Sequence, residues 1–181
     1  LDAIGYTDFA GSGVVHLCGA AAALAAVLIL GPRTGKYGPD GSVTVMKGSN
    51  IPIAALGAFI LWLGWFGFNG GSQLAIHDVA NANAVAQVFL NTNAAATGGV
   101  LGALLISKFM TKKMDVTMAI NGAIAGLVAI TAAPDTPSGG LATIIGAIGG
   151  IIVYLSVIFF DRTLKVDDPV GAISAHGTVG I

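Results

Sequence analysis

The chain has 181 residues, of which 55% are hydrophobic and only 9% charged, and its mean hydropathy is +0.85. A soluble domain carries about 25% charged residues, so most of this surface has to face lipid. The net charge of −1 offers no footprint for nucleic acid, and the single cysteine, Cys18, excludes an internal disulfide and a multi-cysteine metal site.

Six apolar segments follow in chain order. The first covers about residues 10–30 and leads into a Gly/Pro loop with Arg33, Lys36 and Lys47. The second covers about 51–73, with His77 and Asp78 in the next turn. The third covers about 83–106 and ends at Lys108, Lys112 and Lys113. The fourth, about 116–133, stops at Pro134-Asp135-Thr136-Pro137, and the fifth, about 140–160, stops at Asp161, Arg162 and Lys165. A sixth begins after Asp168-Pro169. Each of the first five is close to the roughly 20 residues that a helix needs to cross a bilayer. The expected architecture is an all-α polytopic membrane protein, a single transmembrane domain over residues 1–181 with five full crossings and part of a sixth. The first apolar run is not expected to be a signal peptide, since it is too long and lacks a basic start. With no Met at position 1, the chain is expected to be a fragment.

Loop charge tests this division. If every segment crosses once, all eight Lys and Arg residues fall in the first, third and fifth loops. The positive-inside rule makes those loops cytoplasmic. The first helix then runs from outside to inside, and the sixth from inside to outside. The 27 glycines suit close helix contact, with Gly122-x-x-x-Gly126 and Gly146-x-x-x-Gly150 as packing spacings.

Two stretches share the pattern D-x-x-G-x-x-x-x-H: Asp8 to His16, and Asp168 to His176. They enter from opposite faces, as an inverted repeat does. An Asp at a helix start caps exposed N–H groups, and Pro169 suits a first turn. A His eight residues further on lies about 12 Å deeper, near the middle of a roughly 30 Å hydrocarbon core. Ionisable groups at that depth are rare and normally face a pathway. Two of them at matched depth point to a functional pair, and the two aspartates to helix caps. His77 reads as a solvated loop residue.

Four motifs carry a family resemblance. They are Asp8-Phe9-Ala10-Gly11-Ser12-Gly13-Val14-Val15-His16 with Gly31-Pro32-Arg33; Gly64-Trp65-Phe66-Gly67-Phe68-Asn69-Gly70-Gly71-Ser72; Gly122-Ala123-Ile124-Ala125-Gly126-Leu127-Val128; and Val166-Asp167-Asp168-Pro169 leading to His176-Gly177. In this order, over essentially the whole chain, they resemble the Amt/Mep/Rh ammonium transporters, and the bacterial Amt branch most. The resemblance implies the fifth to tenth of eleven helices, inverted repeats, a homotrimer with one pore per protomer, and a bacterial inner membrane. It implies that His16 and His176 are the pore's twin histidines, Phe68 one of two gate phenylalanines, and Trp65, Ser72 and Asp8 part of the external ammonium vestibule. It further implies an ammonium or ammonia substrate, no cofactor or metal, no enzymatic activity, and a cytoplasmic PII-type regulator.

The residues alone leave two points open. Trp65 to Phe68 would equally suit an interfacial aromatic belt, and Ser72 could bond its own helix backbone. Aromatic faces and a hydroxyl suit a small cation, whereas moving a bare ammonium into a dry pore costs tens of kcal/mol, roughly, by Born estimates. Deprotonation near Phe68 and passage of neutral ammonia along the two imidazoles is the expected route. A sensor of the same fold, with signalling domains outside this stretch, is the alternative. An intramembrane metalloenzyme built on His16 and His176 is disfavoured, since both aspartates lie about 12 Å from their histidines and no H-E-x-x-H pattern occurs.

Overall fold

The computed structural model describes residues 2–181, and among them the only β-type pairing is an isolated bridge between Tyr37 and Val43. Five long helices and one short one follow. Helix α1 is Ser12–Leu30, α2 is Ile51–Gly71 and α3 is Val79–Thr111. Helix α4 is Val116–Thr131, α5 is Gly139–Leu164 and α6 is Ile173–Thr178.

Short polar side chains set most helix starts. Asn50 accepts from the Ile53 amide, with Pro52 in the first turn. Asp78 accepts from Asn81, Asp115 from Thr117, and Ser138 from Leu141. Each satisfies an N–H that the helix itself leaves unpaired. At the other end α1 stops at Gly31, whose φ of 74° continues no helix, with Pro32 behind it.

Four helices, α1, α2, α3 and α5, are long and apolar enough to cross a membrane. Two lengths differ from the sequence expectation. At 33 residues α3 is about 50 Å long. It starts before its apolar run, at Val79, because Asn81 is polar yet helical, and it continues past the run to Thr111. At 16 residues α4 is about 24 Å long, a turn short of a full crossing.

Helices α3, α4 and α5 form the packed centre. Leu127, Val128, Val153, Ala96 and Ala125 are buried there, and Trp65 of α2 joins them. Glycine lets these backbones touch. A Cβ on Gly122 or Gly150 would run into the Gly99 carbonyl, and one on Gly126 or Gly146 into the Ala95 carbonyl. Both small-residue spacings therefore grip the same turn of α3 from opposite sides, the close approach that small residues permit in membranes. Helices α1 and α2 lie outside this centre and expose apolar faces that include Leu28, Ile29, Ile53 and Phe59.

Loops assigned to one membrane side meet each other. On the basic side, Arg33 makes a two-pronged ion pair with buried Asp167, both N···O distances being 2.7 Å. Lys36 pairs with Asp161 at 2.6 Å, and the Lys165 ammonium donates to the Gly41 carbonyl. Burial and the neighbouring Asp161 push the Tyr37 hydroxyl up to about 12. On the opposite side, Asn91 donates to the Pro134 and Pro137 carbonyls, and the Phe9 amide to the Ala132 carbonyl. Asn93, two residues on from Asn91, is exposed.

Candidate functional site

Each D-x-x-G-x-x-x-x-H stretch folds into the same device. The Asp8 carboxylate accepts from the backbone N–H groups of Gly11, Ser12, Gly13 and Val14, at 2.8–3.1 Å. Asp168 accepts from the Ile173 and Ser174 amides and from the Ser174 hydroxyl. The intervening glycine is left-handed in both copies, with φ of 108° at Gly11 and 73° at Gly171, a region that side chains rarely enter. Both chains then wind into wide π-type turns, Ser12–Leu17 and Ile173–Thr178, before or at the histidine. Such turns are uncommon and concentrate at functional positions.

Asp8 is thus a cap. Burial alone would raise its pKa, but the four N–H bonds outweigh it and hold the carboxyl below the ordinary value. Those donors, with the Tyr6 hydroxyl at 3.3 Å, occupy the roughly four lone-pair sites of a carboxylate.

The two devices bring His16 and His176 together. Their Nδ1 atoms are 3.1 Å apart and their ring centroids 5.1 Å. One proton between the Nδ1 atoms leaves one outer Nε2 as acceptor and the other as donor. The Nε2 of His16 is buried and has no hydrogen-bond partner among the described residues. Two cavities, about 230 and 300 Å³, adjoin the pair and are each lined by both histidines. The smaller is otherwise walled by Val15, Gly19, Ala20, Ala23 and Ala172, and the larger by Ile60, Leu61, Gly64, Trp65 and Phe68.

Trp65 stands beside the histidines. Its indole stacks on His16 at 4.9 Å and 17°, and lies within 13° of the His176 plane at 6.4 Å. Its N–H donates to the Thr131 hydroxyl at 2.9 Å. Trp65 is thus packed against the imidazole pair, with its polar tether buried in the core. Phe68, almost one turn further along α2, reaches His16 at 5.4 Å and is partly exposed to the larger cavity. Ser72, another turn on, donates its hydroxyl to the Phe68 carbonyl at 2.9 Å, which leaves its oxygen lone pairs able to accept. His77 is exposed and pairs with Asp78 at 3.3 Å, away from the pair. Asn121 bonds its own helix at the Thr117 carbonyl. Among the described residues no group of three His, Cys, Asp or Glu side chains could hold a metal.

A family model described as Ammonium Transporter Family matches residues 1–181. The chain belongs to this family of ammonium transporters. Ammonium transporter Amt2 of Archaeoglobus fulgidus is 46% identical over 176 residues, covering 97% of this chain and 36% of the relative. The ammonium transporter of Bacillus subtilis is 38% identical over 177 residues, covering 98% and 41%. A solved structure described as a sensor Amt protein is similar with a TM-score of 0.93 and 43% identity, covering 99% of this chain and 43% of that one. Mep2 of Saccharomyces cerevisiae is similar with a TM-score of 0.85 and 31% identity, covering 99% and 39%. This ammonium transporter family chain thus spans about two fifths of the length of these relatives. It has the Amt/Mep helical fold of a multi-pass integral membrane protein, and its family is one of transporters rather than enzymes.

The polar chain behind Trp65 escaped sequence reading. Thr131 and Asn69 are 62 residues apart and form no motif together. A buried indole needing a partner was the one available signal.

Proposed function

We propose that this chain is the histidine-bearing part, family helices five to ten, of a homotrimeric transporter that moves ammonium nitrogen across the membrane as ammonia. Ammonium is recruited outside, where ring faces each attract a cation by about 0.5–2 kcal/mol and the Ser72 oxygen accepts an N–H. Phe68 closes the way inward to a hydrated ion. Ammonium gives its proton there to water of the outer mouth, since a bare ammonium is far costlier to bury than neutral ammonia. Ammonia then passes along the Nε2 edges of His16 and His176, one accepting and the other donating. Asp8 and Asp168 hold the two turns in place. A PII-type regulator acting at the basic face belongs to the same reading.

The Nδ1 to Nδ1 contact of 3.1 Å carries this proposal. It ties the donor and acceptor roles of the two outer nitrogens together in an otherwise apolar passage, so neither ring needs to become charged. The likeness to a protein described as a sensor Amt protein favours a second reading, in which ammonium is reported rather than moved. Flux of ammonium and methylammonium through the full-length protein in liposomes separates the two. Wild type conducts, and His16→Ala and His176→Ala change rate and selectivity. Unchanged conduction in both variants removes the histidines from the mechanism, and wild type that binds without conducting favours the sensor.

A further inference from the structure

The geometry points to Thr131 as a positioning residue for the imidazole pair, acting on His16 from two sides at once. Thr131 ends α4 and is fully buried. Its main-chain carbonyl accepts from the Ala10 amide at 3.0 Å, within the segment that leads into the His16 turn. Its hydroxyl accepts the Trp65 indole N–H at 2.9 Å, and that indole stacks on the His16 ring. The hydroxyl proton goes to the Leu127 carbonyl at 2.6 Å, with Asn69 Oδ1 at 3.3 Å as its other acceptor. Asn69 in turn donates to Thr92 of α3 at 3.0 Å.

A polar chain therefore runs Trp65, Thr131, Asn69, Thr92 through three helices, and all four residues are buried. The indole has one polar atom, and a buried donor without a partner is costly. Anchoring that atom fixes the plane on which both imidazoles lie. One residue thus sets the backbone entry of His16 through its carbonyl and the ring orientation through its hydroxyl. The effect on transport rests on the transport reading above, whereas the effect on ring orientation does not.

The test uses the full-length protein. Thr131→Val removes the hydroxyl at nearly constant shape, Thr131→Ser restores it, and Trp65→Phe keeps a stacked ring without the N–H. Ammonium flux per correctly inserted protein falls about tenfold in Thr131→Val, the factor that about 1.4 kcal/mol, one buried hydrogen bond, corresponds to. Thr131→Ser conducts near the wild-type rate. The Thr131→Val and Trp65→Phe losses do not add in the double variant, because both cut the same bond. Nitrogen-15 NMR of labelled histidine reads ring position independently of transport. Thr131→Val shifts the ring-nitrogen signals of His16 and His176, and Thr131→Ser leaves them in place. Unmoved signals in Thr131→Val overturn the assignment even if wild type proves not to conduct. Moved signals with a non-conducting wild type remove the transport reading alone. If Thr131→Val fails to insert, unmoved signals in Trp65→Phe overturn it equally.

Discussion

Replacing Gly99 by alanine in the full-length protein probes the packed centre directly. The new Cβ would lie 2.9 Å from the Gly126 Cα and nitrogen, and closer still to the Gly122 carbonyl oxygen. Carbon atoms rest at about 3.5–4.0 Å, so the Gly126 contacts alone would part α3 and α4 by roughly 0.6–1.1 Å, and the closer Gly122 oxygen by more. The three nearest opposing atoms are all backbone, so none of them can rotate away as a side chain would. Parting the helices loosens Leu127 and Val128, which are fully buried at this seam. Overpacking of this kind costs about 1–3 kcal/mol, against a helix-propensity gain of up to about 1 kcal/mol. Backbone opposition puts the cost at the upper end of that range, so the expected net loss is about 2 kcal/mol, opposite in sign to the usual Gly→Ala effect in a helix. Gly140→Ala is the control, because nothing lies within 4 Å of its added methyl, and it should be neutral or slightly stabilising. Unfolding of purified protein in mixed micelles, followed by tryptophan fluorescence, measures both. Gly99→Ala as stable as wild type, or Gly140→Ala equally damaged, would refute the backbone-contact account.

Two further outcomes are expected. Asp8→Ala frees four backbone N–H groups and should cost about 1–2 kcal/mol, with faster amide exchange at Gly11 to Val14; Asp8→Asn, which keeps one acceptor oxygen, should lose less by both measures. The Arg33 ion pair holds the Asp167 carboxyl below its ordinary value. A depressed folded-state pKa gives stabilisation that is fully present above the unfolded value of about 3.9 and lost as pH falls through the folded one. Thermal melts should therefore show a constant deficit for Asp167→Asn from pH 8 to 5, and a shrinking one below about pH 4.

Loop charge and the repeated Asp-Gly-His spacing were legible because each acts locally or at a fixed helical pitch. Asp8 and Asp168 read as caps, and the structure gives each a set of backbone donors. Helix ends were less legible where polarity and helicity part company, as at Asn81 of α3. The stacking of Trp65 on the imidazoles was hidden because its tether, Thr131, is 66 residues away and set by how α2 meets α4. The Arg33 clamp on Asp167 spans 134 residues and marks itself only as two charges in separate loops. Wide turns at the histidines leave no compositional trace, since they arise from how the caps and left-handed glycines launch each chain.

The mirrored delivery of His16 and His176 has a directional consequence. Because the rings meet through equivalent nitrogens, either His16 or His176 can be the ring that donates across the contact. The two arrangements leave opposite outer nitrogens as the acceptor. The heavy atoms of the contact therefore favour neither direction. The polarity of the centre lies in its tautomer, and exchanging the tautomer reverses it.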